Sequence, residues 1–152
     1  TLTDDEINVR IDQIEAERPI SSKPQQAMLN WKQVTEMKKN GFEIGGHTRS
    51  HLRLNTKATT ERIEQEVAGC AEDIKSAIGE APTLFCYPNG DTSEEAISMV
   101  ENTFNAAVTT KSGINEPEAN AFLLKRIGAH QDASNTRVKF LGLIGKNFVT
   151  EN

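Results

Sequence analysis

The apolar residues of this chain fall into short groups with helical or strand spacing, separated by glycine, proline and polar turns. Thr3-Asp4-Asp5-Glu6 has the form of a capping box, and Ile7, Ile11 and Ile14 follow on one helix face. That helix ends before Pro19, and residues 20–27, with Ser21, Ser22 and Pro24, read as a loop. Asn30 caps a helix over 31–40 with Trp31, Val34 and Met37 on one side, stopped by Gly41. Residues 42–46 read as a short strand ending in glycines, and 47–55 as a polar strand-to-helix loop. The longest helix begins at Thr59 or Thr60, carries Ile63, Val67, Ala71, Ile74 and Ile78 at helical spacing, and ends at Gly79.

Residues 83–87 form a second strand, followed by the turn Pro88-Asn89-Gly90-Asp91. Thr92 and Glu95 make another capping box and open a helix to about Asn102. A third strand over 104–109, a loop over 111–120 and a fourth strand over 123–129 follow. Ser134 caps a last helix with Val138, Leu141 and Ile144 inward. Such alternation predicts an α/β fold, with parallel strands joined by crossover helices. Sites in these folds collect beyond the carboxyl ends of the strands.

The 152 residues suit a single domain over 1–152, with 1–27 as a helix and loop leading in. A net charge of −5, from 17 Lys+Arg against 22 Asp+Glu, argues against nonspecific nucleic-acid binding. No run of eighteen apolar residues exists, so no transmembrane segment is expected. Cys70 and Cys86 do not make a disulfide framework. One Trp, one Tyr and six Phe leave little for stacking, so a site must work through polar groups or a metal. The chain starts at Thr1 rather than Met, and the expectation is that it is part of a longer protein.

Three constellations carry candidate chemistry. His47-Thr48-Arg49-Ser50-His51 spaces two imidazoles for one side of a helical turn, which suits two ligands of a divalent metal; a polar loop with incidental histidines fits the same spacing. Phe85-Cys86-Tyr87-Pro88-Asn89-Gly90 ends a strand in a turn that can aim backbone N–H groups at an oxyanion, or is an ordinary β-to-α turn. Arg126 suits bidentate orientation of a carboxylate and His130 suits general acid work, against a surface ion pair and a solvated histidine.

Together these residues resemble the polysaccharide deacetylases, the NodB-homology or carbohydrate esterase family 4 enzymes. Residues 41–51 resemble their second motif, His-Ser/Thr-x-x-His, and 85–90 their third, in a Phe-Ala-Tyr-Pro-x-Gly variant. Residues 104–110, Gly113 and 124–127 look like the later strand and Arg-Ile segment, and Trp31 to Met37 like the preceding helix. The resemblance covers roughly residues 28–130 and implies part of a distorted (β/α) barrel. It implies metal-dependent hydrolysis of an N-acetyl or O-acetyl group on a carbohydrate substrate, with zinc the expected cation. On it, His47 and His51 are metal ligands and Thr48 bonds within the loop. The Asn89 N–H is an oxyanion donor, Tyr87 and Pro88 line the substrate groove, Arg126 holds the catalytic carboxylate, and a histidine protonates the leaving group, for which His130 is the candidate.

The family's first motif, Thr-Phe-Asp-Asp-Gly, which supplies the base and the third ligand, has no counterpart. Glu6 stands in place of its glycine, and Ile7, Ile11 and Ile14 continue Thr3-Asp4-Asp5 as a helix. Cys86 stands where the third motif has arginine. The chain is therefore expected to be the C-terminal part of a catalytic domain, weakly active or inactive alone. Its open strand edges invite self-association. Two other classes compete: a catalytically degenerate carbohydrate-binding or scaffold module, and a small metal-binding regulatory domain. The family habit suggests the cell envelope or secretion, with a cytoplasmic location left open.

Overall fold

The computed structural model describes residues 4–17 and 28–149. The order is α1 (Asp4–Glu17), α2 (Trp31–Lys39), α3 (Thr60–Ile78), β1 (Leu84–Cys86), a 3-10 turn (Pro88–Gly90), α4 (Glu94–Thr103), β2 (Ala106–Ser112), β3 (Leu124–Arg126), α5 (Gln131–Ser134) and α6 (Arg137–Val149). The three strands form one parallel sheet in the order β1-β2-β3, so the expected mixed α/β class is what the chain adopts.

Local capping chemistry explains most boundaries. The Asn30 side chain accepts from Gln33 N, and Gln33 returns the bond to Asn30 N, a reciprocal box that starts α2. Thr59 caps α3, and Gly79 ends it in a left-handed conformation at φ 86°. The expected cap at Thr92 is one residue early: Ser93 accepts from Ala96 N. The last helix also starts later than expected, with Thr136 rather than Ser134 accepting from Lys139 N. Val138 and Leu141, expected inward, are exposed. The proposed Thr3 cap and the 20–27 loop lie outside the described residues, and the Ile7, Ile11 and Ile14 face of α1 is exposed.

The core sits on one face of the sheet. Phe85 and Tyr87 alternate with Cys86 along β1, so both rings point to the side where α3 and α4 pack. There they meet Ile63 and Val67 of α3, Ala96 and Val100 of α4, and Phe104 and Ala107 of the β2 arm. Phe85 lies edge-on to Tyr87, with ring centroids 5.3 Å apart, and tilted against Phe104 at 4.9 Å.

The expected strand over 42–46 shrinks to one parallel bridge, Gly46↔Phe85. Glycine is required there, because a Cβ would stand 2.7 Å from Phe104 Cζ and 3.0 Å from Phe85 Cδ2. The aromatic core thus comes up against the backbone one residue before His47. On the far side of the sheet, Asn115 brackets β3: its side chain accepts from Lys125 N and donates to Lys125 O. An amide side chain there does the work of a neighbouring strand and blunts that edge. No helix among the described residues is long and apolar enough to cross a membrane.

Candidate active site

The two histidines converge. Their ring centroids lie 4.9 Å apart in an edge-on arrangement, and both rings belong to exposed residues. The geometry differs from the expected helical turn. Residues 47–51 form an irregular loop in which Thr48 and His51 hold left-handed backbone, at φ 63° and φ 62°. For a β-branched residue such as Thr48 this is a strained conformation, costing on the order of 1–2 kcal/mol.

The origin of the turn is visible at the sheet edge. Gly46 N donates to Leu84 O, and Cys86 N donates to Gly46 O, which are consecutive rungs of a parallel ladder. The next rung would carry an amide N–H to Cys86 O. The His47 ring takes that place, with Nδ1 2.6 Å from Cys86 O. A carbonyl oxygen can only accept, so Nδ1 carries the proton and Nε2 presents its lone pair. Metal-ligating histidines are oriented in this way.

The loop is held from below by α3. Glu66, 2% exposed, accepts from Arg49 N at 2.9 Å, Ser50 N at 2.8 Å and Ser50 Oγ at 2.7 Å. Asp73 takes the Arg49 guanidinium in a two-point pair, both bonds 2.7 Å. That pair raises Arg49 and holds the Asp73 carboxyl below its ordinary range. Gly69 leaves the space in which the guanidinium lies, since a Cβ there would stand 2.5 Å from Arg49 Cζ. Cys70 is buried beneath the His47 backbone, and burial pushes its thiol up. Thr48 does not bond within the loop as expected: its hydroxyl is buried with no partner among the described residues.

The other candidates are placed as follows. Arg126 ends β3 and directs Nη1 to within 3.9 Å of Cys86 Sγ, at the carboxyl edge of the sheet where His47 stands. Asn89 turns the chain at φ 55°, and its carbonyl accepts from Thr110 Oγ1. Tyr87 is 0% exposed and Pro88 is fully buried, so neither side chain lines an open groove. Strand parity explains it: Tyr87 follows Phe85 on the core face, and Cys86 occupies the opposite one. The Tyr87 hydroxyl has no partner among the described residues, and burial, then the charge of Glu101, pushes it up to about 12. His130 starts α5 and folds its ring over Gly128, where a Cβ would stand 3.0 Å from Nε2. Beside His47, a cleft of about 370 Å³ opens between α2, α3 and the 44–49 segment, lined by Trp31, Val34, Ile44, Thr48 and Ile74.

Glu66 was missed by sequence reasoning. The signal was present: it lies three residues from Ile63 and four from Cys70, on the core face of α3, where a charged side chain needs polar partners. Among the described residues, no group of three or more His, Cys, Asp or Glu side chains could hold a metal ion. The two imidazoles, with His47 fixed in the ligating tautomer, fit two positions of such a shell.

A parallel α/β sheet with a histidine pair at its carboxyl edge defines a class, and the comparisons give it a family. The sequence model of the polysaccharide deacetylases matches residues 12–106. The chain belongs to the polysaccharide deacetylase family. Its fold is similar to that of the Streptococcus pyogenes deacetylase PplD, solved in complex with acetate, at TM-score 0.71 and 22% identity over 79% of this chain and 52% of that one. A polysaccharide deacetylase from Bacillus cereus is similar at TM-score 0.66 and 22% identity, over 90% of this chain and 47% of that one. IcaB from Ammonifex degensii is similar at TM-score 0.61 and 17% identity, over 94% of this chain and 70% of that one. The chain thus spans about half the length of the first two. No curated protein sequence matches it.

Proposed function

We propose that this chain carries part of the active site of a metal-dependent deacetylase acting on N-acetylated or O-acetylated carbohydrate. The observation that carries the reading is His47: its Nδ1 is committed to Cys86 O, which frees Nε2 beside the His51 ring. Family membership and the fold of the acetate-bound S. pyogenes deacetylase support the same chemistry.

In this reading His47 and His51 hold a divalent cation, and zinc suits their nitrogen donors. When bound, the cation supplies Lewis acidity toward an acetyl carbonyl. The Asn89 N–H donates to the oxygen on which charge develops. Arg126 orients the carboxylate that acts as base, and His130 passes a proton to the leaving group. The chain covers 1–152 as one domain, the C-terminal part of a catalytic domain, with 1–27 leading in. Its own hydrolytic activity is weak or absent, since no carboxylate joins the histidine pair among the described residues. The same feature favours a second reading, a catalytically degenerate carbohydrate-binding module. Asn115 blunts the β3 edge, so any self-association runs through the Gly46 side, and light scattering on concentrated protein reports it.

Zinc stoichiometry and acetate release from N-acetylated oligosaccharide, measured on this chain and on a form extended at its N-terminus, test the reading. Zinc binding lost in His47→Ala, with acetate release gained on extension, supports it. Bound zinc unchanged in His47→Ala overturns the ligand assignment. Sugar binding without acetate release in the extended form favours the binding module.

A further inference from the structure

We propose that Glu66 is a positioning residue for the histidine pair, setting the path of the loop through residues 49 and 50 so that His47 and His51 face each other. The inference rests on the metal-holding reading above and deepens it.

Three observations carry it. First, residues 49 and 50 are bracketed by two left-handed non-glycine residues, Thr48 and His51. Such backbone persists only where its surroundings over-determine it. Second, both intervening amides converge on one oxygen, Glu66 Oε2, and the Ser50 hydroxyl donates to Oε1. The loop's path between the histidines is therefore pinned at both residue 49 and residue 50. Third, Glu66 is 2% exposed and sits among Ile63, Val67 and Cys70 on the packing face of α3. Apart from the loop, its ion-pair partner among the described residues is Arg62, whose Nη2 lies 3.2 Å from Oε1. An apolar residue at this place would pack against the core without burying a charge. The carboxylate is suited instead to holding the loop.

The geometry also says which substitutions keep the function. Glutamine presents one carbonyl oxygen to the two amides and an NH2 group to Ser50, whose hydroxyl can turn from donor to acceptor, while the half-exposed Arg62 gives up its contact there and turns to solvent. Aspartate keeps the charge but draws both oxygens back by one methylene. A role through position predicts that Glu66→Gln is tolerated and Glu66→Asp is not; a role through charge predicts the reverse.

The test uses the full chain with Zn²⁺ alone as the probe, its affinity read by competition with a chromophoric chelator. Melting curves confirm folding. Glu66→Asp is expected to weaken Zn²⁺ binding at least tenfold, with Glu66→Gln within about threefold of the parent. Equal affinity for all three proteins, or a loss in Glu66→Gln as large as in Glu66→Asp, overturns the proposal. If the shortened side chain does not fold, Ser50→Ala, at an exposed position, removes one of the three bonds, and an unchanged affinity counts against the proposal. His47→Ala and His51→Ala are measured alongside. Should neither weaken Zn²⁺ binding, the metal-holding reading fails by itself. Glu66 is then judged on the imidazole nitrogen signals of the metal-free chain. Loss of the His47 Nδ1–H tautomer in Glu66→Asp but not in Glu66→Gln supports positioning, and identical spectra refute it.

Discussion

His47 Nδ1 donates to the carbonyl oxygen of Cys86 across a separation of 2.6 Å, and this one bond decides which face of the imidazole is open to chemistry. It ties the histidine loop to the end of β1. A change on β1 that moves Cys86 O should therefore be felt at His47 Nε2 without touching either histidine.

Gly46→Ala, on the segment that bridges to β1, is one direct way to move it. The added Cβ would stand within 3.0 Å of both Phe85 and Phe104, two buried rings that have little room to yield. The substitution is expected to cost about 1–3 kcal/mol, as overpacking of a core does. Chemical denaturation measures the loss. The His47 Nδ1–H signal should broaden or move in the same variant, and a stable protein with an unchanged signal would contradict the close packing.

Tyr87→Phe should leave the protein as stable or more stable. The Tyr87 hydroxyl is buried without a partner among the described residues, and removing an unsatisfied buried polar group relieves about 1–3 kcal/mol of desolvation cost. A clear fall in melting temperature would mean that the hydroxyl has a partner after all.

The same side chain sets the behaviour at high pH. Burial pushes Tyr87 up to about 12, while an unfolded tyrosine ionises near its ordinary value of about 10. Above the lower value the unfolded chain holds fewer protons than the folded one, so stability falls with rising pH. The contribution is complete below pH ~10 and lost progressively towards pH ~12. Tyr87 is the chain's one tyrosine, so tyrosinate absorbance follows it without assignment. Tyr87→Phe should flatten this part of the stability profile.

Gly69→Ala should act on the loop more than on the core. Its Cβ would collide with the Arg49 guanidinium, the far end of a flexible side chain, so the arginine swings out and the helix survives. Asp73 then loses the partner that holds it below its ordinary range, and its carboxyl should titrate closer to a free aspartate. Carbon NMR of the carboxyl through an acid titration measures it. An Asp73 titration identical to the parent's would show that Arg49 keeps its seat.

Much of the scaffold was legible because its signals are local. Asn30 with Gln33, Thr59 and Gly79 mark helix ends by chemistry confined to a few residues, and the histidine spacing is a local fact as well. Where two neighbouring residues suit the same job, the local signal cannot choose. Thr92 and Ser93 are both good caps, and the burial of Ala96 and Val100 on one face of α4 goes with the second. The misplaced expectations depend on distant partners. Residues 42–46 look like a strand, but only Gly46 finds a place on the ladder. Tyr87 looked like a groove residue until the parity of β1 put it beside Phe85. Glu66 was passed over, because its partners lie sixteen and seventeen residues away, at Ser50 and Arg49.

The arrangement of Glu66, Gly69 and Asp73 under the loop has a consequence for how such a site can change over time. The histidine loop and the first four turns of α3 behave as one cassette. A recombination that exchanged the loop alone would deliver two histidines without their clamp. The link between the two parts is another matter. Thr56 and Lys57 are exposed, and Lys57 N donates to Asn55 Oδ1, at the turn before α3. Insertions at that point should leave the imidazole spacing untouched, while a single residue added between His47 and His51 should abolish it.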